Sequence, residues 1–137
     1  MAGSFSNYAE LKILDHITGK TSFTKPTCYV ALCTGNPGEA GTGASMSEVA
    51  DANNYARVTT AGADWNAAAT GAVDNANAII FLEASGSWGT VSHFALLDSG
   101  TYGVGNILAY GTLDSSKAVG AGDTPTFAAG ALDITLD

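Results

Sequence analysis

A chain of 137 residues, 46% hydrophobic and only 13% charged, has enough apolar mass to bury one core and no room for a second, catalytic domain. Its 13 acidic residues against 5 basic give a net charge of −8, a field that repels a phosphate backbone, so no nucleic-acid partner is expected. No apolar run reaches the roughly 18 residues of a membrane span, and Met1-Ala2-Gly3-Ser4 lacks the basic and apolar regions of a secretory signal, so no membrane partner and synthesis in a cytoplasm are expected.

The first predicted element is a helix. Tyr8, Leu11, Leu14 and Ile17 recur at three-residue spacing with Ile13 beside them, which reads as an amphipathic segment of about three turns whose stripe must dock on something. Ser6 or Asn7 can cap it; with Asn7 as the cap, Glu10 stands in capping-box position, and Gly19 follows the end. Residues 1–20 are thus an N-terminal arm and helix. After Pro26 the period drops to two, and Cys28 to Cys33 reads as a buried strand. Its two thiols would leave opposite faces at about 3.3 Å of rise per residue, too far apart to bridge, so both are expected free and buried. Residues 34–54, with Pro37 and several glycines but little apolar mass, form the longest irregular stretch and are expected to be mobile or ordered by a partner.

From Tyr55 onward, strand-like runs at 55–60, 64–69, 78–83, 91–98, 107–113, 124–128 and 131–136 alternate with turn clusters. Apolar residues on both faces of Val91 to Asp98 mark a central strand. The fold class that follows is mainly β: an antiparallel β-sandwich, jelly-roll-like, with one short N-terminal α-helix, spanning 1–137 as a single domain.

Chemistry is hard to assemble from this chain. His16, His93, Cys28 and Cys33 have no ligand spacing, and Asp98, Asp114 and Asp123 sit at turns without the acidic loop of a calcium site. No Gly-x-Ser-x-Gly elbow accompanies either histidine, and the glycine pairs at 41/43 and 103/105 lack the lysine and helix of a phosphate cradle. No catalytic, cofactor-binding or metal residue is expected, and no cofactor. Trp65, Trp88, Phe81, Phe94 and Phe127 read as core, with Trp88, between Ser87 and Gly89, the aromatic to test for a contact role.

The order of several short segments carries more. Ser6-Asn7-Tyr8-Ala9-Glu10-Leu11-Lys12, Tyr29-Val30-Ala31-Leu32, Tyr55-Ala56-Arg57-Val58, Ser87-Trp88-Gly89-Thr90-Val91 and Gly130-Ala131-Leu132-Asp133-Ile134-Thr135 follow one another almost end to end. In this the chain resembles a family of small tailed-bacteriophage virion structural proteins, labelled capsid decoration or tail-fibre-like proteins. The resemblance implies a non-enzymatic virion component made in the bacterial host cytoplasm. The expected role is a capsid decoration or cement protein on the outside of the assembled head, homo-oligomeric with a trimer as the expected number, and docked on the major capsid protein. The alternative is a tail-fibre or baseplate component that contacts tail proteins and contributes to host adhesion. Candidate interface residues are Phe5, Tyr8 and Leu11 in the arm and helix, Asn36 and Pro37 in the long loop, and Trp88 and Tyr102 as aromatics for a glycan.

Overall fold

The computed structural model describes residues 2–136. In chain order, β1 (Ala2–Phe5) leads into α1 (Asn7–Ile17), followed by β2 (Tyr29–Cys33), β3 (Val58–Thr59), a 3₁₀ turn at Gly62–Asp64, β4 (Ala72–Asp74), β5 (Ile79–Ile80), β6 (Gly89–Leu97), β7 (Ile107–Val119), β8 (Thr126–Phe127) and β9 (Asp133–Thr135). Seven strands form one sheet in the order β3-β2-β6-β7-β1-β9-β4, and β5 pairs with β8 in a second, two-stranded sheet. Every pairing is antiparallel except β1 with β9, which is parallel.

The long central strands form because their alternation serves two apolar layers. On β2 and β6, Val30, Leu32, Phe94 and Leu96 enter the main core, while Ala31, Cys33, Ala95 and Leu97 enter a second cluster on the opposite face with Met46 and Ile107. The small sheet closes the main core. Phe127 of β8 meets Phe94 edge-on at 6.1 Å, and Phe81, just past β5, meets Phe127 at 6.3 Å. The fold is therefore mainly β and sandwich-like, with a curled sheet of seven strands facing a layer of two.

Several elements depart from the sequence reading. The 64–69 run is not a continuous strand: it meets the β4 segment only through isolated antiparallel bridges, Trp65 with Asn75 and Ala69 with Ala72, across the two-residue turn of Thr70 and Gly71, both at positive φ, while Trp65 packs against the core with Nε1 donating to Thr60 Oγ1 at 3.0 Å. β7 runs six residues past its expected end at 113, with a break in register: Val91 pairs with Lys117 but His93 with Thr112, so part of β7 leaves the ladder as a bulge. The N-terminal arm is the largest correction. Residues 2–5 are an interior strand, with Gly3 opposite Gly111 on one side and Ile134 on the other.

Two glycines explain how this strand fits. A Cβ on Gly3 would lie 2.6 Å from the Tyr110 carbonyl oxygen and 2.7 Å from Phe94 Cζ. One on Gly111 would lie 2.7 Å from both the Ala2 carbonyl oxygen and Phe94 Cε1. The Phe94 ring therefore lies over a bare cross-strand glycine pair and fills the space that two side chains would take.

The helix starts one residue earlier than a capping box would need. Fully buried Ser6 is the N-cap: its hydroxyl accepts from the Ala9 N–H at 3.2 Å and donates to the Ile107 carbonyl of β7. The cap thereby ties the helix start to the sheet, and Glu10 lies one position beyond the place where a capping box would use it.

Candidate assembly surface

The 34–54 segment, expected to be mobile, is held down by a buried ion pair. Arg57 Nε and Nη2 donate to Glu48 Oε1 and Oε2 at 2.8 and 2.9 Å, a two-pronged contact with side chains 1% and 3% exposed. Arg57 Nη1 also donates to the Ser99 and Val104 carbonyls at 2.7 and 2.8 Å, and the Tyr55 hydroxyl donates to Glu48 Oε1 at 2.8 Å while accepting from the Leu32 N–H. The Arg57 guanidinium thus fastens the long loop to the 99–104 loop, and the Tyr55 hydroxyl fastens it to β2. Burial by itself would lower the Arg57 pKa, but the hydrogen bonds and charge of Glu48 outweigh it and raise it. Burial, then the Glu48 charge, pushes the Tyr55 phenol far above its usual range. Nine residues separate Arg57 from Glu48, so neither periodicity nor a motif marks the pair; the one sequence signal was an arginine within an otherwise strand-like run.

A second fastening uses amides. Asn53 and Asn54 both adopt positive φ, which asparagine tolerates, and their Nδ2 groups donate to the Ser87 and Glu83 carbonyls at 2.9 Å each. Trp88 Nε1 donates to the Asn53 carbonyl at 2.8 Å, and its ring is 4% exposed, edge-on to Tyr55. This corrects the contact role considered for Trp88: its polar edge and its face are both spent inside the molecule. Asn75, fully buried, donates to the Asn77 and Ala128 carbonyls and accepts from the Leu132 N–H, which holds the strand-poor segment before β9.

The remaining candidate interface residues are scattered. Phe5 and Tyr8 are half-buried against the core, with Tyr8 edge-on to Phe23 at 6.4 Å. Pro37 is buried; its neighbour Asn36 is exposed, with Oδ1 accepting from the Gly38 N–H at 2.9 Å. Tyr102 stands at a loop tip, 40% exposed, near Val104 at 52%. Leu11 is 65% exposed, and it has company: Leu14 is 55% and Ile17 69% exposed.

The stripe that holds these three residues was expected to dock on something, with Leu11 a candidate interface residue. Within the molecule α1 docks through Ala9 and Ile13 instead, over an apolar cleft of about 280 Å³ whose walls include Phe5, Phe23, Leu96 and Leu108. The face bearing Leu11, Leu14 and Ile17 points outward, because three-residue spacing drifts around a helix of 3.6 residues per turn and the short side chain of Ala9 permits the close approach to β7. Three adjacent large apolar side chains on a short, firmly capped helix form the kind of patch that soluble surfaces keep for contacts.

The thiols are inert by environment. Burial first, and then the Glu48 charge, pushes Cys33 up to about 12, and burial raises Cys28 as well. Both cysteines are free. Among the described residues no three His, Cys, Asp or Glu side chains converge as a metal set, and no helix is long and apolar enough to cross a membrane. His93 Nδ1 lies 2.8 Å from the hydroxyl of its chain neighbour Ser92, a local strand contact.

Residues 4–135 match the model of a family described as Podophage GP4 fiber I protein gp80. No curated protein matches the chain.

Proposed function

The chain belongs to the Podophage GP4 fiber I protein gp80 family, a family of phage virion structural proteins, and on that premise we propose that it is a non-enzymatic building subunit of a virion fibre, working by self-association and by docking on tail proteins. The observation that carries the reading is the outward apolar face of α1, with Leu11, Leu14 and Ile17 each more than half exposed on one short helix. Such a face on a rigid scaffold supports recognition by packing, and the buried clamps of Arg57 and Asn75 keep the surrounding loops in one arrangement. In this reading the subunit serves host adhesion as part of the fibre's frame.

Immunogold electron microscopy of intact virions, with antibody against this chain, tests the placement. Gold along fibres is the expected result. Gold over the head would move the subunit to the capsid-decoration role that the sequence alone favoured, and virions without label would remove it from the particle.

A further inference from the structure

After α1 the chain runs from Thr18 to Cys28 without helix or strand before it enters β2. The near end of this strap is fixed to the helix, where the Asp15 carbonyl accepts from the Lys20 and Thr21 N–H groups at 2.8 and 3.2 Å. The far end is fixed beside β3, where the Cys28 carbonyl accepts from the Thr60 N–H and hydroxyl at 2.9 and 2.8 Å. Between them, over residues 22–27, the described residues make a single hydrogen bond: the Phe23 N–H donates to His16 Nδ1 at 3.0 Å. That bond sits over apolar ground. Phe23 and Pro26 wall the cleft beneath α1, which Cys28 also lines, and the Phe23 ring leans edge-on against Tyr8.

We propose that His16 is an acid-sensitive latch on the strap: its neutral ring holds Phe23 over the cleft, and protonation of the ring lets the strap lift. A ring nitrogen accepts a hydrogen bond only while it carries no proton, so the contact requires the neutral tautomer with its hydrogen on Nε2. In the imidazolium both nitrogens are donors, and Nδ1–H would confront the Phe23 N–H. Because only the neutral ring makes the bond, linkage sets the sign: the latch is complete at the alkaline end of the histidine range and is lost as pH falls from about 8 to about 5.

The charged side chains on the two segments that meet at the ring are Glu10, Lys12 and Asp15 of α1 and Lys20 and Lys25 of the strap. Among the described residues none of them bonds the imidazole, whose hydrogen-bonding partner is the Phe23 N–H. Lifting Phe23 uncovers the Phe5, Ile13, Leu96 and Leu108 walls of the cleft. Ile13 belongs to the helix that already presents Leu14 and Ile17 to solvent, so acid enlarges the apolar surface offered by this pole of the subunit. The latch is a property of the subunit itself and holds wherever on a virion the subunit sits.

The two cysteines supply the readout. Cys28 lines the cleft under the strap, whereas Cys33 is fully buried in the sheet and is reached only when the whole domain unfolds. The test is labelling of the full chain with 4,4′-dithiodipyridine at about pH 8 and about pH 5, the rate at each cysteine read by peptide mass spectrometry and divided by that of glutathione at the same pH. The expected result is a rise of about fivefold at Cys28 in acid, the equilibrium weight of one hydrogen bond, with Cys33 unlabelled at both pH values. Two substitutions at the exposed position 16, each checked by circular dichroism for an unchanged fold, separate the latch from other acid effects. His16→Asn keeps an acceptor near the place of Nδ1 that takes no proton, and its Cys28 should label slowly at both pH values. His16→Ala has no acceptor, and its Cys28 should label at the raised rate at both. A wild-type rate that does not change with pH, a pH step that survives in either variant, or Cys28 and Cys33 labelled together in acid would each overturn the latch.

Discussion

Replacing Arg57 with methionine should be among the most damaging single changes this protein can suffer outside its apolar core. The substitution keeps the unbranched apolar stem of the side chain but removes its guanidinium, and with it two hydrogen bonds to Glu48 and two to the Ser99 and Val104 carbonyls. It leaves a carboxylate 3% exposed, with the Tyr55 hydroxyl as its remaining donor among the side chains around it. Breaking a buried pair from one side costs about 3–5 kcal/mol. With an unfolding entropy of roughly 2.1 cal/mol/K per residue, this 137-residue chain gives about 0.3 kcal/mol/K, so the melting temperature should fall by about 10–17 °C. Urea titration followed by tryptophan fluorescence gives the same quantity at constant temperature. The double variant Arg57→Met/Glu48→Leu removes the stranded charge and should recover part of the loss, since an apolar pair can replace a buried ionic one at small cost. A single variant within about 1 kcal/mol of wild type, or a double variant no more stable than the single, would refute the idea that the pair is fully desolvated and holds three segments together.

Other substitutions probe the remaining joints. Gly111→Ala should lower stability by about 1–3 kcal/mol, because the new methyl meets the Ala2 carbonyl and the Phe94 ring at 2.7 Å, whereas Gly62→Ala, with open space around it, should be neutral or slightly stabilising in the same denaturation assay. Deleting Ala2 to Ser6 should abolish the cooperative melting transition, since it removes a strand from the interior of the sheet along with the helix cap; a folded truncated protein by circular dichroism would show β1 to be dispensable. Stability should also fall as pH rises. The Cys33 thiol goes from 9.0 up to about 12 in the folded state and Tyr55 is raised too, so their neutral forms favour folding below pH 9 and that contribution is lost as pH climbs toward 12. Flat stability between pH 8 and about 11 would contradict it, as would rapid labelling of Cys33 by a thiol reagent in the native protein at pH 8.

The elements legible in the sequence were those whose own residues carry their burial. Tyr29 to Cys33 and Val91 to Leu97 are apolar on both faces because they lie near the middle of a sheet covered on both sides, and no partner needed to be known to see it. β1 was invisible for the opposite reason: Ala-Gly-Ser-Phe has almost no apolar alternation, and its place is set by Phe94 and Gly111, ninety residues or more away in sequence. The glycines of 34–54 were read as looseness, yet Gly43 donates its N–H to the Gly105 carbonyl at 2.9 Å and the loop lies across the Met46 cluster, so there glycine serves close approach. The helix itself was legible, but which face meets the sheet was not, because Ala9 and Ser6, two small residues without hydrophobic weight, decide it. The outward patch was legible in part: Leu11 was a candidate contact, and Leu14 and Ile17 continue the same apolar repeat.

The parallel pairing of Gly3 with Ile134 bears on when a subunit becomes usable. A ribosome adding roughly 5–20 residues per second delivers β1 many seconds before its neighbours β7 and β9 exist. The interior of the sheet therefore cannot be completed until β9 has been made; β1 must wait, unpaired, for residues more than a hundred positions later. Folding should be slow, as long-range strand closure dictates. No partly made subunit could present a finished surface to a growing particle.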